Sequence, residues 1–159
     1  MRQYDIGRRS IIVGGLIAFA SAAIGAPAKD VPSIIVHRDP NCGCCGAWVD
    51  HLRTSGFATE VFETAAINRL KSKLGVPQSL ASCHTAEIDG YVIEGHVPAA
   101  AIRRLLAERP QGKGLAVAGM PIGSPGMEVD GSEPETYSVV LFGPLGQQIF
   151  ARYQGLTQL

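Results

Sequence analysis

The sequence lacks any bias of charge. Its 14 basic and 14 acidic residues cancel to a formal net charge of zero. They are interspersed rather than gathered into runs, which argues against a nucleic-acid-binding surface or a basic membrane patch. There is no internal repeat, and 159 residues suit one domain with a single core. Long apolar runs are also missing, with one exception near the start, "SIIVGGLIAFASAAI". That run is short against the roughly 20 residues a membrane-spanning helix needs. Cysteine is scarce: the chain has four, and they are not spread out as pairs that could staple a small fold.

What the N-terminus does have is order. Arg2, Arg8 and Arg9 precede the apolar run, and "IGAPAKD" follows it with small residues at which a peptidase could cut. Basic, apolar, then small is the layout of an export signal, so residues 1–28 are expected to be removed and residues 29–159 to form the mature domain. The Arg8-Arg9 pair resembles a twin-arginine signal, although Gly7 stands where Ser or Thr is usual. The mature domain is therefore expected in the periplasm, without stable membrane association after cleavage.

Along the mature chain, "SIIVHRD" reads as a first strand. Cys45, Trp48, Val49 and Leu52 then fall at helical spacing, with Asp50, His51, Arg53 and Thr54 on the other side. Gly56 closes this helix. "FATEVFE" alternates as a second strand. Thr64 can cap a second helix, "AAINRLKSKLG", stopped by Gly75 and Pro77. "SCHTAEI" and "YVIEGHV" flank Asp89-Gly90, a strong hairpin signal. Pro98 opens a third helix that Pro110 closes. Residues 111–134 are crowded with glycine and proline, too long for a plain connector. A last hairpin turns at Pro144-Leu145-Gly146. This order, with cysteines between the first strand and first helix, predicts an α/β fold of the thioredoxin-like type: a central mixed sheet flanked by helices, its cysteine motif at the N-terminus of the first helix.

The cysteines carry the chemistry. "DPNCGCCG" holds Cys42, Cys44 and Cys45 within four positions, and Cys83 lies far downstream. Cys42 and Cys45 form a C-x-x-C pair, and a helix N-terminus there stabilises thiolates through its dipole and free N–H groups. Such a pair suits a thiol–disulfide oxidoreductase. A third adjacent thiol invites scrambling in such an enzyme, whereas a metal site gains a ligand. Four thiolates carry a charge of −4; one Zn(II) leaves −2, whereas four Cu(I) ions give a neutral core. Burying net charge is costly, and soft thiolates select Cu(I). Copper, as Cu(I) in a multinuclear site, is thus preferred. Zinc in an ordinary four-cysteine shell is the weaker alternative.

Met120 and Met127, in the glycine- and proline-rich segment, are candidate thioether ligands if that segment folds over the thiols. Otherwise they anchor it by packing. His37, at the end of the first strand, is a further candidate ligand or proton partner. His84 follows Cys83 on a strand and is expected to point away from it. His51 is expected in solvent, and His96 in the turn before Pro98. Trp48 either roofs the site or simply packs in the core.

Three stretches, "DPNCGCCGAWVDHLRTSGF", "SCHTAEIDGYVIEGHVP" and "KGLAVAGMPIGSPGME", resemble the CopG-like copper-resistance proteins, an exported family long catalogued as a domain of unknown function. The likeness runs over almost the whole mature chain. It implies a periplasmic thioredoxin-like domain that binds copper as a cysteine-bridged multinuclear cluster and interconverts Cu(I) and Cu(II) in copper detoxification. By position it implies Cys42, Cys44, Cys45 and Cys83 as ligands. The expected partners are copper ions and other periplasmic copper-handling or electron-transfer proteins.

Overall fold

The computed structural model describes residues 32–159; the proposed export signal lies outside the described residues. Within them the chain folds into a mixed α/β structure, one eight-stranded sheet with three helices. β1 (Ile34–Arg38) leads through α1 (Cys44–Thr54) to β2 (Thr59–Glu63), and α2 (Ile67–Leu74) follows. β3 (His84–Ile88) and β4 (Tyr91–Glu94) form the hairpin, and α3 (Ala99–Glu108) leads to β5 (Gly114–Ala116). β6 (Thr136–Gly143), β7 (Gly146–Gln154) and β8 (Thr157–Gln158) complete the sheet, whose order is β2-β1-β3-β4-β5-β6-β7-β8.

Two strand pairs are parallel, β1 with β2 and β4 with β5. Each needs a crossover, and α1 and α3 supply them. The apolar stripe of α1 (Cys45, Trp48, Val49, Leu52) and that of α3 (Ala99, Ala101, Ile102, Leu105) are buried. Both join the main core with Ile34, Val36, Ala86 and Ile93 of the sheet, apart from Cys45, which faces the cysteine site. A smaller cluster on the other side of the sheet contains Val76, Leu80, Val92, Ala116 and Phe142. Ile93 and Val92 thus serve opposite faces, as the pleat requires.

The β3–β4 hairpin fixes the register that matters. Asp89 and Gly90 both have positive φ, 47° and 85°, the two-residue turn that matches strand twist. Ile88 therefore pairs with Tyr91 and Thr85 with Glu94. Continued two residues further, this register sets Cys83 opposite His96.

Several local expectations change. β5 falls inside the segment read as irregular: the "GLA" triplet is too short to show a period, yet it is fully buried between β4 and β6. β2 alternates in sequence but lies at the sheet edge, leaving Val61 and Phe62 exposed. Pro98 is the residue before α3 rather than its first member. Thr64 accepts a hydrogen bond from the Ala66 N–H at 3.1 Å, one turn-residue ahead of α2. No helix among the described residues is long and apolar enough to cross a membrane.

Candidate metal centre

The loop after β1 brings Cys42 to the start of α1, and Cys44 and Cys45 occupy its first turn. Asp39 shapes this entry: its carboxylate accepts from the Asn41 N–H at 2.8 Å, and its carbonyl accepts from the Cys42 N–H at 3.0 Å. Cys45 points inward and is fully buried, while Cys42 and Cys44 are half-buried. Gly43 takes an ordinary right-handed helical conformation, φ −69°, so the entry does not depend on unusual glycine geometry.

Cys83 arrives from the other direction. It immediately precedes β3 rather than lying on it, half-buried. The sulfurs of Cys42, Cys44, Cys45 and Cys83 all lie within 4.8 Å of one another. Cys42 and Cys45 are joined in a disulfide, and Cys44 and Cys83 are free thiols. Cys44 Sγ is 3.8 Å from Cys42 Sγ and 3.7 Å from Cys83 Sγ. Two sulfurs at that spacing, each about 2.3 Å from a shared ion, subtend an angle of about 110°. The Cys44–Cys83 gap therefore already has the span of a bridged metal. Burial, and next the charge of Cys44, push the Cys83 thiol up to about 12; without a metal it stays protonated near neutral pH.

Of the two candidate methionines the structure brings one to the site. Met120 Sδ is 3.8 Å from Cys44 Sγ, with the residue half exposed at the rim. No such sulfur contact is made by Met127 among the described residues. It sits in a tight turn instead, its N–H donating to the Ser124 carbonyl at 2.7 Å and its carbonyl accepting from the Gly123 N–H at 2.8 Å. His37 is engaged elsewhere: Nε2 is 3.5 Å from Glu87 Oε1 and the ring stacks on Phe62.

The expectation for His84 is overturned, whereas His96 lies in the bend before Pro98 as expected but turns its ring to the site. The alternation argument for His84 fails because the strand begins at His84 itself, so Cys83 is not bound by the pleat. His84 Nδ1 lies 3.2 Å from Cys83 Sγ, and the ring is packed on Trp48 with centroids 4.3 Å apart. His96 Nε2 lies 3.1 Å from the same sulfur. Its Nδ1–H donates to the Pro125 carbonyl at 2.8 Å, which fixes the tautomer and turns the Nε2 lone pair toward Cys83. Both imidazoles are fully buried, and burial lowers the pKa of each, that of His84 well below the usual value. The missed signal was the hairpin register, which already sets Cys83 against His96. His51 is half-buried rather than solvated, its Nε2 accepting from the Ala99 N–H at the start of α3 at 3.1 Å. Trp48 is core: it has no exposed surface, and its indole N–H donates to the Val97 carbonyl at 3.0 Å.

A buried polar network holds the Cys83 arm. Glu94, without exposed surface, accepts from Lys71 Nζ at 2.6 Å, from the Ser82 N–H at 2.6 Å and from Thr85 Oγ1 at 2.5 Å. Ser82 Oγ in turn donates to the Gly119 carbonyl at 2.5 Å, next to Met120. The glycine- and proline-rich segment is seated on α1 as well, its Gly126 backbone against Ala47 and Trp48.

Residues 80–127 match the model of a family described as "Protein of unknown function, DUF411". A search of curated proteins returns no match. Two solved structures, Form 1 and Form 2 of a copper resistance protein CopG, align with 48% identity and a TM-score of 0.73. Form 1 covers 79% of this chain and 99% of its own length; Form 2 covers 77% and 98%. A cysteine cluster able to hold a metal, inside a chain nearly half identical to these proteins over their full length, settles the kinship: this chain belongs to the CopG family of copper-resistance proteins.

Proposed function

We propose that this is an exported copper-binding protein that sequesters Cu(I) on Cys42, Cys44, Cys45 and Cys83 as a thiolate-bridged, multinuclear cluster. The observation that carries the reading is the convergence of four sulfurs within 4.8 Å from two distant parts of the chain. Charge supports several ions over one, since four thiolates are neutralised by four Cu(I). The placement of Cys44 and Cys45 in the first turn of α1 supports a thioredoxin-like use of the helix N-terminus, where the dipole favours thiolates. Met120 is the thioether best placed to join the cluster from the rim.

Loading requires the Cys42–Cys45 disulfide to open. An external dithiol supplies the two electrons and two protons and becomes a disulfide itself; the four thiols then lose their protons as Cu(I) binds. The same disulfide favours a second reading, a thiol–disulfide oxidoreductase using Cys42 and Cys45. Interconversion of Cu(I) and Cu(II) at the loaded cluster belongs to the first reading. Anaerobic titration of the reduced protein with Cu(I) tests it. Uptake well beyond one equivalent with thiolate-to-copper charge-transfer absorption is expected, whereas saturation at one equivalent contradicts a multinuclear site.

Location in the periplasm rests on the basic, apolar, small-residue order of the first 28 residues. Protein recovered from the periplasm should have the mass of a chain starting near Pro27 or Lys29. A full-length, membrane-bound product would show the apolar run to be an anchor.

A further inference from the structure

We propose that Cys83, His84 and His96 form a mixed sulfur–nitrogen site for a divalent borderline ion of the Zn(II), Co(II) or Cu(II) class, and that it remains available when the Cys42–Cys45 disulfide is closed. It shares Cys83 and, through its fourth donor, Cys44 with the proposed Cu(I) cluster, but it needs neither Cys42 nor Cys45.

The donor atoms are already gathered: Cys83, His84 and His96 each offer one ligand atom within 4.8 Å of the others, and His84 Nδ1 and His96 Nε2 lie 3.2 and 3.1 Å from Cys83 Sγ. His96 is held as metal-ligating histidines are held, one ring N–H on a backbone carbonyl and the other nitrogen free to coordinate. His84 gives the second observation. It is fully buried, and its Nδ1 faces the same sulfur as His96 Nε2. An ion on the three atoms would engage both ring nitrogens that face Cys83. The opposite ring nitrogen of His84, Nε2, has no hydrogen-bond partner and is not a donor to this site.

The spacing needs only a small adjustment. Sulfur-to-nitrogen separations of 3.1 and 3.2 Å are a few tenths of an ångström short of the ~3.5 Å that tetrahedral bonds of about 2.3 Å to sulfur and 2.0–2.1 Å to nitrogen require. Charge also fits a divalent ion. One thiolate and two neutral imidazoles leave it at +1, and the free thiol of Cys44, 3.7 Å from Cys83 Sγ, is the nearest fourth donor and would make the set neutral. Imidazole nitrogens suit zinc and copper ions, whereas an all-thiolate cage selects Cu(I).

Co(II) is the probe, since it does not oxidise thiols and reports its ligands in the visible. The full mature chain, with its Cys42–Cys45 disulfide closed, should bind one equivalent with tetrahedral d–d bands and a sulfur-to-cobalt charge-transfer band. X-ray absorption of this wild-type complex should show two imidazole nitrogens with one or two sulfurs. His96→Gln and Cys83→Ser should each weaken binding at least tenfold, while a Cys42→Ser/Cys45→Ser variant should bind as the wild type does. Absence of binding by the disulfide form, a cobalt shell without imidazole nitrogens, or an unchanged affinity in His96→Gln would overturn the proposal. Because the wild-type absorption data stand alone, a variant that fails to fold does not decide the matter. Cu(I) titration of the reduced protein, run in parallel, reports separately on the thiolate cluster.

Discussion

Replacing Gly126 by alanine probes how the glycine- and proline-rich segment is held over the site. Gly126 has φ +82°, and an added Cβ would lie 2.6 Å from the Trp48 backbone nitrogen and 3.0 Å from the Ala47 carbonyl carbon. Unstrained contacts between heavy atoms are about 3.5 Å or longer. Both obstructing atoms belong to the backbone of α1, which cannot give way, so the segment must lift. A left-handed non-glycine residue costs about 1–2 kcal/mol. Lifting also takes the neighbouring Pro125 carbonyl off His96, and a buried donor left unpaired costs about 1–3 kcal/mol. The expected loss is therefore about 2–5 kcal/mol, capped by the cost of unseating the segment alone. Gly131→Ala is the internal control: its φ is +77°, but nothing lies within 4 Å of an added Cβ, so only the backbone penalty applies. Urea denaturation of reduced, metal-free protein gives the two losses, and limited proteolysis between Gly119 and Glu128 reports the lifting. If Gly126→Ala costs no more than Gly131→Ala and cleavage is unchanged, the seating on α1 contributes nothing.

Lys71→Met should lower stability by about 3–5 kcal/mol, because it strips the fully buried Glu94 carboxylate of its cationic partner. The double variant with Glu94→Gln should recover part of that in urea denaturation, and a double variant no better than the single would contradict a buried charge penalty. His51 makes stability pH-dependent. Burial lowers its pKa in the folded state from 6.5, so the unfolded chain binds the proton more readily. Its contribution is present above about pH 6.5 and is lost as pH falls through the lower folded value. The urea midpoint should therefore drop between about pH 7.5 and pH 5, and drop less in His51→Gln; equal drops would contradict the assignment.

The helices and most strands were legible because their signals are local. The α1 stripe of Cys45, Trp48, Val49 and Leu52 is a period, and Asp89-Gly90 is a turn chemistry. β5 was not legible, since three residues show no period and only their neighbours β4 and β6 make them a strand. The four cysteines and Met120 come together as a set, although nothing in the spacing could show that Cys83 precedes its strand or that Met127 serves a turn. The histidines were hidden for a different reason. His96 needs the hairpin register to be carried two residues past the strand, and His84 needs the strand to start two residues later than "SCHTAEI" suggests. His37 looked close in sequence to the cysteines, but the pleat turns it to Glu87 and Phe62.

Cys83 separates the copper cluster from a dithiol enzyme most sharply. A dithiol enzyme needs Cys42 and Cys45 alone, one sulfur attacking and the other resolving. A bridged cluster loses a wall when Cys83 goes, and serine does not replace it, since its hydroxyl is hard and stays protonated. Anaerobic Cu(I) titration of reduced wild type beside Cys83→Ser and Cys44→Ser is therefore the decisive measurement. The account predicts several equivalents in wild type, with both variants binding fewer ions more weakly and to a similar degree. If Cys83→Ser keeps the full copper count while its disulfide exchange matches wild type, the four-thiolate cluster is contradicted and the oxidoreductase reading takes its place.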